Sequence, residues 1–155
     1  MGRKIAAGMV AQEVFGILNE PFYNEPGFLI RRAHQKAVAL FLEMTADIGI
    51  TPVQYAALLA IAAHPDVDQQ RVAVMIAVDR TTINEVTKRL AEKGLVVRGS
   101  GRGRHVHLRC TMAGTKLIER ARKALREHGE RMLAPLSVEE RAGFVRALRL
   151  VARDE

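Results

Sequence analysis

The apolar positions change their period along the chain, and those changes divide it into elements. From Phe28 to Ile48, the residues Ile30, Ala33, Ala37, Phe41, Met44 and Ile48 recur at spacings of three and four. That spacing lays them along one face of a helix. Gly49 follows as a left-handed C′ residue that ends it. Thr51-Pro52-Val53-Gln54 opens the next helix. Thr51 caps it, Pro52 takes the first helical position, and Gln54 completes a capping box. This helix runs through Tyr55, Leu58, Leu59 and Ile61 to His64-Pro65. Asp68 caps a shorter helix over 69–78 that buries Val72, Met75 and Ile76, and Asp79 caps a fourth over 80–93, which Gly94 ends.

The period then falls to two. Leu95-Val96-Val97-Arg98 reads as a strand and Gly99–Gly103 as a hairpin loop. In the returning strand Val106, Leu108 and Cys110 take one face, and His105, His107 and Arg109 the other. No other β-structure is expected. Thr111 caps a long helix over 112–134 with Leu117, Ile118, Ala121, Leu125 and Met132 as its apolar positions, and Pro135 stops it. Ser137-Val138-Glu139-Glu140 is a second capping box. It opens a last helix carrying Phe144, Val145, Leu148 and Val151. Ahead of all this, residues 4–19 can form a short helix, which Pro21, Asn24, Pro26 and Gly27 break.

Two short helices joined by a tight turn, then a hairpin, is the order of a winged helix-turn-helix. The expected fold is mainly α with one β-hairpin wing. Helices 28–48, 112–134 and 138–153 each carry an apolar stripe, and the three-helix lobe between them is too small to cover all three. A second copy of the chain is expected to do so. The organisation is then an arm and first dimerisation helix over 1–48, a winged lobe over 49–111, and C-terminal dimerisation helices over 112–155.

Charge sharpens this picture. The net charge is +7 and the sequence pI about 10.2, which suggests a polyanionic partner, nucleic acid or an anionic membrane, though solubility alone also accounts for a basic surface. Residues 68–110 hold nine Lys and Arg against four acids, so +5 of the +7 lies in the expected lobe. On helix 80–93, Ile83, Val86 and Leu90 share a narrow arc and must face the core. Thr81, Asn84, Glu85 and Lys88 fall opposite, with Arg80 beside them in the first turn. Asn suits adenine, Lys and Arg suit guanine, and a Thr methyl can touch thymine in a major groove. Arg80, Thr81, Thr82, Asn84, Glu85 and Lys88 are therefore candidate DNA contacts. The hairpin holds Arg98, Arg102, Arg104 and Arg109 and no acid. Its glycines allow close backbone approach and its arginines suit a minor groove, so Arg98, Arg102 and Arg104 join the set. Solvation alone also produces a polar helix face, and flexibility alone a Gly-rich loop. The rival reading is a basic winged-helix module for protein or membrane surfaces. It needs a basic amphipathic helix flanked by bulky apolar anchors, whereas here the surplus sits on a hairpin and a short helix.

Other chemistry finds little support. Cys110 is the one cysteine, so no intrachain disulfide is possible, which fits a reducing cytoplasm. Its place on the apolar face of a strand suits a small buried hydrophobe better than a redox sensor. Strand alternation parts Cys110 from His105 and His107, while His34 and His64 have no neighbouring ligands, so no metal is expected. No nucleophile elbow, phosphate loop, metalloprotease helix or kinase set occurs, and neither an enzyme nor a cofactor is expected. Gln12 and Glu13 interrupt the N-terminal apolar run too soon for a signal peptide. No run approaches the ~18 apolar residues of a membrane span, so no membrane partner is expected.

Taken in order, four stretches resemble the multiple antibiotic resistance regulator (MarR) family of winged-helix repressors. They are Ile50–Tyr55, Asp79–Val86, Arg89–Val96 and Cys110–Gly114. The resemblance covers about residues 28–151. It implies a homodimer whose first and last two long helices interlock, and two winged lobes on a near-palindromic DNA operator. It also implies relief of repression by a small molecule. Arg104 falls where the family carries its wing-tip arginine. The acid usual two positions earlier is replaced by Arg102, and the wing is about two residues shorter than in common members. The opening of helix 28–48, Pro26–Gln35, is similar to that of family members controlling aromatic-acid breakdown, some of which respond to aromatic acids or their coenzyme A thioesters. Arg31, His34, Gln35, Phe41 and Tyr55 are the corresponding effector candidates, a cation and an imidazole at the rim of an apolar cleft. Arg31 and Arg32 would equally suit solvation or pairing with Glu, and His34 a place at the edge of the core.

Overall fold

The computed structural model describes residues 21–100 and 106–152. The expected arm helix over 4–19 lies outside the described residues. Residues up to Ala39 and from Leu40 onward form two compact units. In the first, a 3-10 turn over Pro21–Asn24 leads into α1, Pro26–Met44, which continues into the second unit. The rings of Tyr23 and Phe28 meet edge to face at 4.8 Å.

The second unit holds the remaining elements: α2 (Pro52–Ala63), β1 (Val67–Asp68), α3 (Gln69–Met75), α4 (Arg80–Glu92), β2 (Val96–Ser100), β3 (Val106–Cys110), α5 (Met112–Ala124), α6 (His128–Met132) and α7 (Val138–Val151). Every N-terminal cap read from the sequence forms. Thr51 and Gln54 exchange backbone–side-chain hydrogen bonds at 3.3 and 3.2 Å. Asp68 accepts from the Gln70 amide at 2.8 Å, Asp79 from the Thr82 amide at 2.8 Å and Thr111 from the Gly114 amide at 3.0 Å. Ser137 and Glu140 complete the second box. Each satisfies N–H groups that a helix start leaves without partners.

α2 is apolar almost all round, and helices and a strand pack against its buried residues. Ala57, Leu58 and Ile61 are fully buried against Val72 of α3, Ile83 and Leu90 of α4, Leu108 of β3 and Ile118 of α5. Removing a side chain of that size from water stabilises by about 1.5–3 kcal/mol. The arc of Ile83, Val86 and Leu90 thus faces the core as its spacing requires, which fixes the polar arc of α4 outward.

Five expectations on the elements are corrected. β-structure is not confined to the hairpin: β1 pairs antiparallel with β3, Val67 opposite Leu108 and Asp68 opposite His107, giving the sheet order β1-β3-β2. Helix 112–134 is broken by a 3-10 turn at Leu125–Glu127, one turn before the helix-weakening Gly129. α1 ends at Met44 rather than Ile48. The buried Thr45 hydroxyl donates back to the Phe41 carbonyl at 2.8 Å, and a turn carries the chain to Gly49 at φ +67°. α3 stops at Met75, because Ala77 adopts φ +53° and closes a Schellman motif, Val78 N–H to Ala73 O at 3.0 Å and Ala77 N–H to Val74 O at 3.2 Å. Gly99 and Ser100, read as loop, belong to β2, where they pair with His107 and Val106.

Candidate nucleic-acid interface

α4 begins where α3 ends, three residues after the left-handed Ala77. Its start is pinned by Asp79, which accepts the Thr82 amide at 2.8 Å and the Thr82 hydroxyl at 2.6 Å. Those hydrogen bonds, the hydroxyl first, hold the Asp79 carboxyl below its usual range. Thr82 is therefore committed to the cap. With Glu85 it lines a separate hollow shared with Val53, Gln54 and Arg89. Arg80, Thr81, Asn84 and Lys88 are exposed. Arg80, Thr81 and Asn84 line a cleft of about 580 Å³ together with Asp68, Gln69, Gln70 and Val106, between the starts of two helices and the wing. The structure thus brings Arg80, Thr81 and Asn84 together and sets Thr82 and Glu85 apart from them.

The wing is held to the lobe at three places. At its root the Thr111 hydroxyl donates to the Gly94 carbonyl at 2.8 Å, and the Thr111 amide to the Leu95 carbonyl at 3.0 Å. Along β3, Arg109 binds Asp66 through two nitrogens, at 3.1 and 2.7 Å to Oδ1 and 2.7 Å to Oδ2. The Arg109 hydrogen bonds hold the Asp66 carboxyl below its usual range. His107 Nδ1 lies 2.8 Å from the Asp66 carbonyl oxygen. On β2, Arg98 turns its guanidinium onto Asn84 and Gln69. Arg102 and Arg104 lie outside the described residues. Cys110 is half-buried, with its Sγ 3.9 Å from the Thr115 hydroxyl.

The effector candidates divide between the two units. Arg31, His34 and Gln35 are exposed on α1 in the first. In the second, the rings of Phe41 and Tyr55 meet at 5.7 Å, and His128 approaches Phe41 at 6.2 Å. Tyr55 also lines a cavity of about 550 Å³ with Leu125, Glu119, Arg122, Lys123 and Arg126. Sequence reasoning missed these last cations. The signal was present, since Arg122, Lys123 and Arg126 crowd the end of an otherwise amphipathic helix. It also missed Asp66 and Gln69, whose partners lie 43 and 29 residues away and leave no local pattern.

Comparison with known proteins agrees with this fold. The model of the MarR family matches residues 48–104. A putative transcriptional regulatory protein for the hcr operon of Thauera aromatica is 33% identical over 135 residues, which are 85% of this chain and 81% of that protein. The PcaV transcriptional regulator of Streptomyces coelicolor, solved in complex with its natural ligand, is 34% identical with a TM-score of 0.78 over 86% of this chain and 95% of that one. The transcriptional repressor CouR bound to a 23-mer DNA duplex is 27% identical with a TM-score of 0.78 over 88% of this chain and 97% of that one. CouR has also been solved bound to p-coumaroyl-CoA, with a TM-score of 0.76 over 86% of this chain and 95% of that one.

Proposed function

The chain belongs to the MarR family of transcription regulators, and on that footing we propose that it is a homodimeric repressor of double-stranded DNA, released by a small aromatic effector, and not an enzyme. The observation that carries this is the α4 face, where Arg80, Thr81, Asn84 and Lys88 stand exposed beside an arginine-bearing wing. Short polar groups and cations at a helix start suit base edges and phosphates together. Arg102 and Arg104 extend that surface on sequence grounds. The helices flanking the lobe make the dimer: Leu29, Ile30, Leu42, Val138, Leu150 and Val151 are all exposed in a single chain, and a partner copy covering them would remove that apolar surface from water.

The effector is an aromatic acid or an aryl-coenzyme A thioester. Phe41 and Tyr55 supply ring surface, and Arg122, Lys123 and Arg126 supply cations around the Tyr55 cavity. Arg31, His34 and Gln35 belong to the same reading through their match to the aromatic-acid regulators. The CouR and PcaV complexes support it by likeness. Such a ligand must bind the DNA-incompetent dimer more tightly, because equal affinity for both states shifts nothing.

Fluorescence anisotropy with a duplex from upstream of the chain's own gene tests this. Specific binding is expected at a Kd on the order of 10⁻⁸ M or below, reversed by at least one member of a panel of aromatic acids and thioesters. Equal affinity for an unrelated duplex of the same length would refute the proposal.

A further inference from the structure

Asn84 of α4 does not stand alone on the DNA-facing side. The Arg98 guanidinium reaches across from β2, and its Nη2 donates to Asn84 Oδ1 at 3.1 Å and to Gln69 Oε1 at 3.3 Å. A guanidinium has donors and no acceptor. Both amides must therefore turn their oxygens, not their nitrogens, toward it. Gln69 is a firm anchor: it is 6% exposed, and its Oε1 also receives the hydroxyl of the fully buried Thr87 at 2.9 Å. That buried pair fixes the Gln69 rotamer, and Gln69 in turn holds the half-buried Arg98 guanidinium beside the exposed Asn84 amide.

We propose that Arg98 is a positioning residue that locks the Asn84 amide with its oxygen toward the wing and its NH2 toward the DNA, making Asn84 a donor at its base position. The proposal rests on the reading of α4 as the DNA-reading helix. An unconstrained Asn pairs with adenine through donor and acceptor together. Held by Arg98, Asn84 presents its donors, which suit guanine N7 and O6, adenine N7 or thymine O4. Cytosine offers only its N4 amine in the major groove, a second donor, and is disfavoured there. The assignment also changes the part played by Arg98 itself. Its Nη2 donors are taken by Gln69 and Asn84, so it acts through Asn84 rather than as a phosphate clamp.

The test is selection from a random duplex pool, with base preferences read out for the wild type, Asn84→Ala, Arg98→Met and the double variant. Arg98→Met keeps the aliphatic stem and removes the guanidinium. The dependence of affinity on salt is measured alongside. The wild type is expected to reject cytosine at one position of each half-site. Arg98→Met should flatten that position as far as Asn84→Ala does, the double variant should be no flatter, and the salt slope should stay put. Gln69→Leu gives a second handle that leaves every cation in place, and Thr87 keeps the Asn84 carbonyl at 3.2 Å as an acceptor. It should blunt the same position. Uniform weakening on all sequences by Arg98→Met, with a salt slope shallower by about 0.9 per lost phosphate contact, would overturn the proposal. So would an unchanged preference at that position in Arg98→Met and Gln69→Leu. A wild type with no sequence preference at all would instead overturn the DNA reading beneath it.

Discussion

Gly114 offers a sharp test of how the wing is seated. It lies in the first turn of α5, beside the wing root. A methyl group added there would sit 2.7 Å from Cys110 Sγ and 3.3 Å from Leu58 Cδ1, and would also press on the Leu95 carbonyl oxygen. Cys110 is half-buried, and the Leu95 carbonyl is fixed by the Thr111 amide at 3.0 Å. In an open helix Gly→Ala stabilises by about 1 kcal/mol. Here overpacking costs roughly 1–3 kcal/mol, and straining or losing the Leu95 hydrogen bond adds about 1 kcal/mol. The net expectation for Gly114→Ala is destabilisation by roughly 1–3 kcal/mol. Gly129 is the control, because it is exposed and an added methyl meets nothing within 4 Å. Gly129→Ala should stabilise by about 0.5–1 kcal/mol. Urea unfolding reads both, at one fixed protomer concentration because assembly contributes to apparent stability. A Gly114→Ala protein as stable as the wild type would refute the packing described at the wing root.

Three further outcomes follow from single features. Ala77 holds a left-handed conformation at the end of α3, so Ala77→Gly should raise stability by about 0.5–1 kcal/mol in the same urea assay. The Asp66–Arg109 pair ties β3 to the turn before β1. Because the Asp66 carboxyl is held below its usual value, its contribution is complete above the unfolded value near pH 4 and fades as pH falls through the lower folded value. Amide exchange in β3 should accelerate in that acid window, and Asp66→Asn should remove the pH dependence. Charging the exposed end of α7 with Leu150→Glu should shift sedimentation from dimer toward monomer; an undisturbed dimer would place the interface elsewhere.

The sequence carried the fold wherever the determinants are local. Capping residues act within three positions, so Thr51, Asp68, Asp79, Thr111 and Ser137 announce their helices directly. The arc of Ile83, Val86 and Leu90 likewise fixes which side of α4 faces out. What escaped were contacts between distant residues. β1 is two residues long and exists only because β3 passes beside it some forty residues later. Ala77 ends α3 in a conformation that alanine does not signal, since glycine is the usual residue there. At the interface, α4 was legible as a polar face, but its internal order was not. Nothing local to Asn84 or Arg98 says that one orients the other, because the anchor between them is Gln69, on a different helix. Thr82 stood among the candidate contacts at the start of α4, and only the cap geometry shows its hydroxyl committed to Asp79.

The central claim is that α4 of each protomer reads a major groove. Dimethyl sulfate interference on a selected duplex tests it directly, because the reagent methylates guanine N7 in the major groove and adenine N3 in the minor groove. Two half-sites on one face of a duplex lie about one helical turn apart, or a multiple of it. The account predicts two clusters of interfering guanines at that separation, related by the operator's two-fold axis. Binding that is indifferent to N7 methylation, or blocked only by methylation at adenine N3, would contradict it.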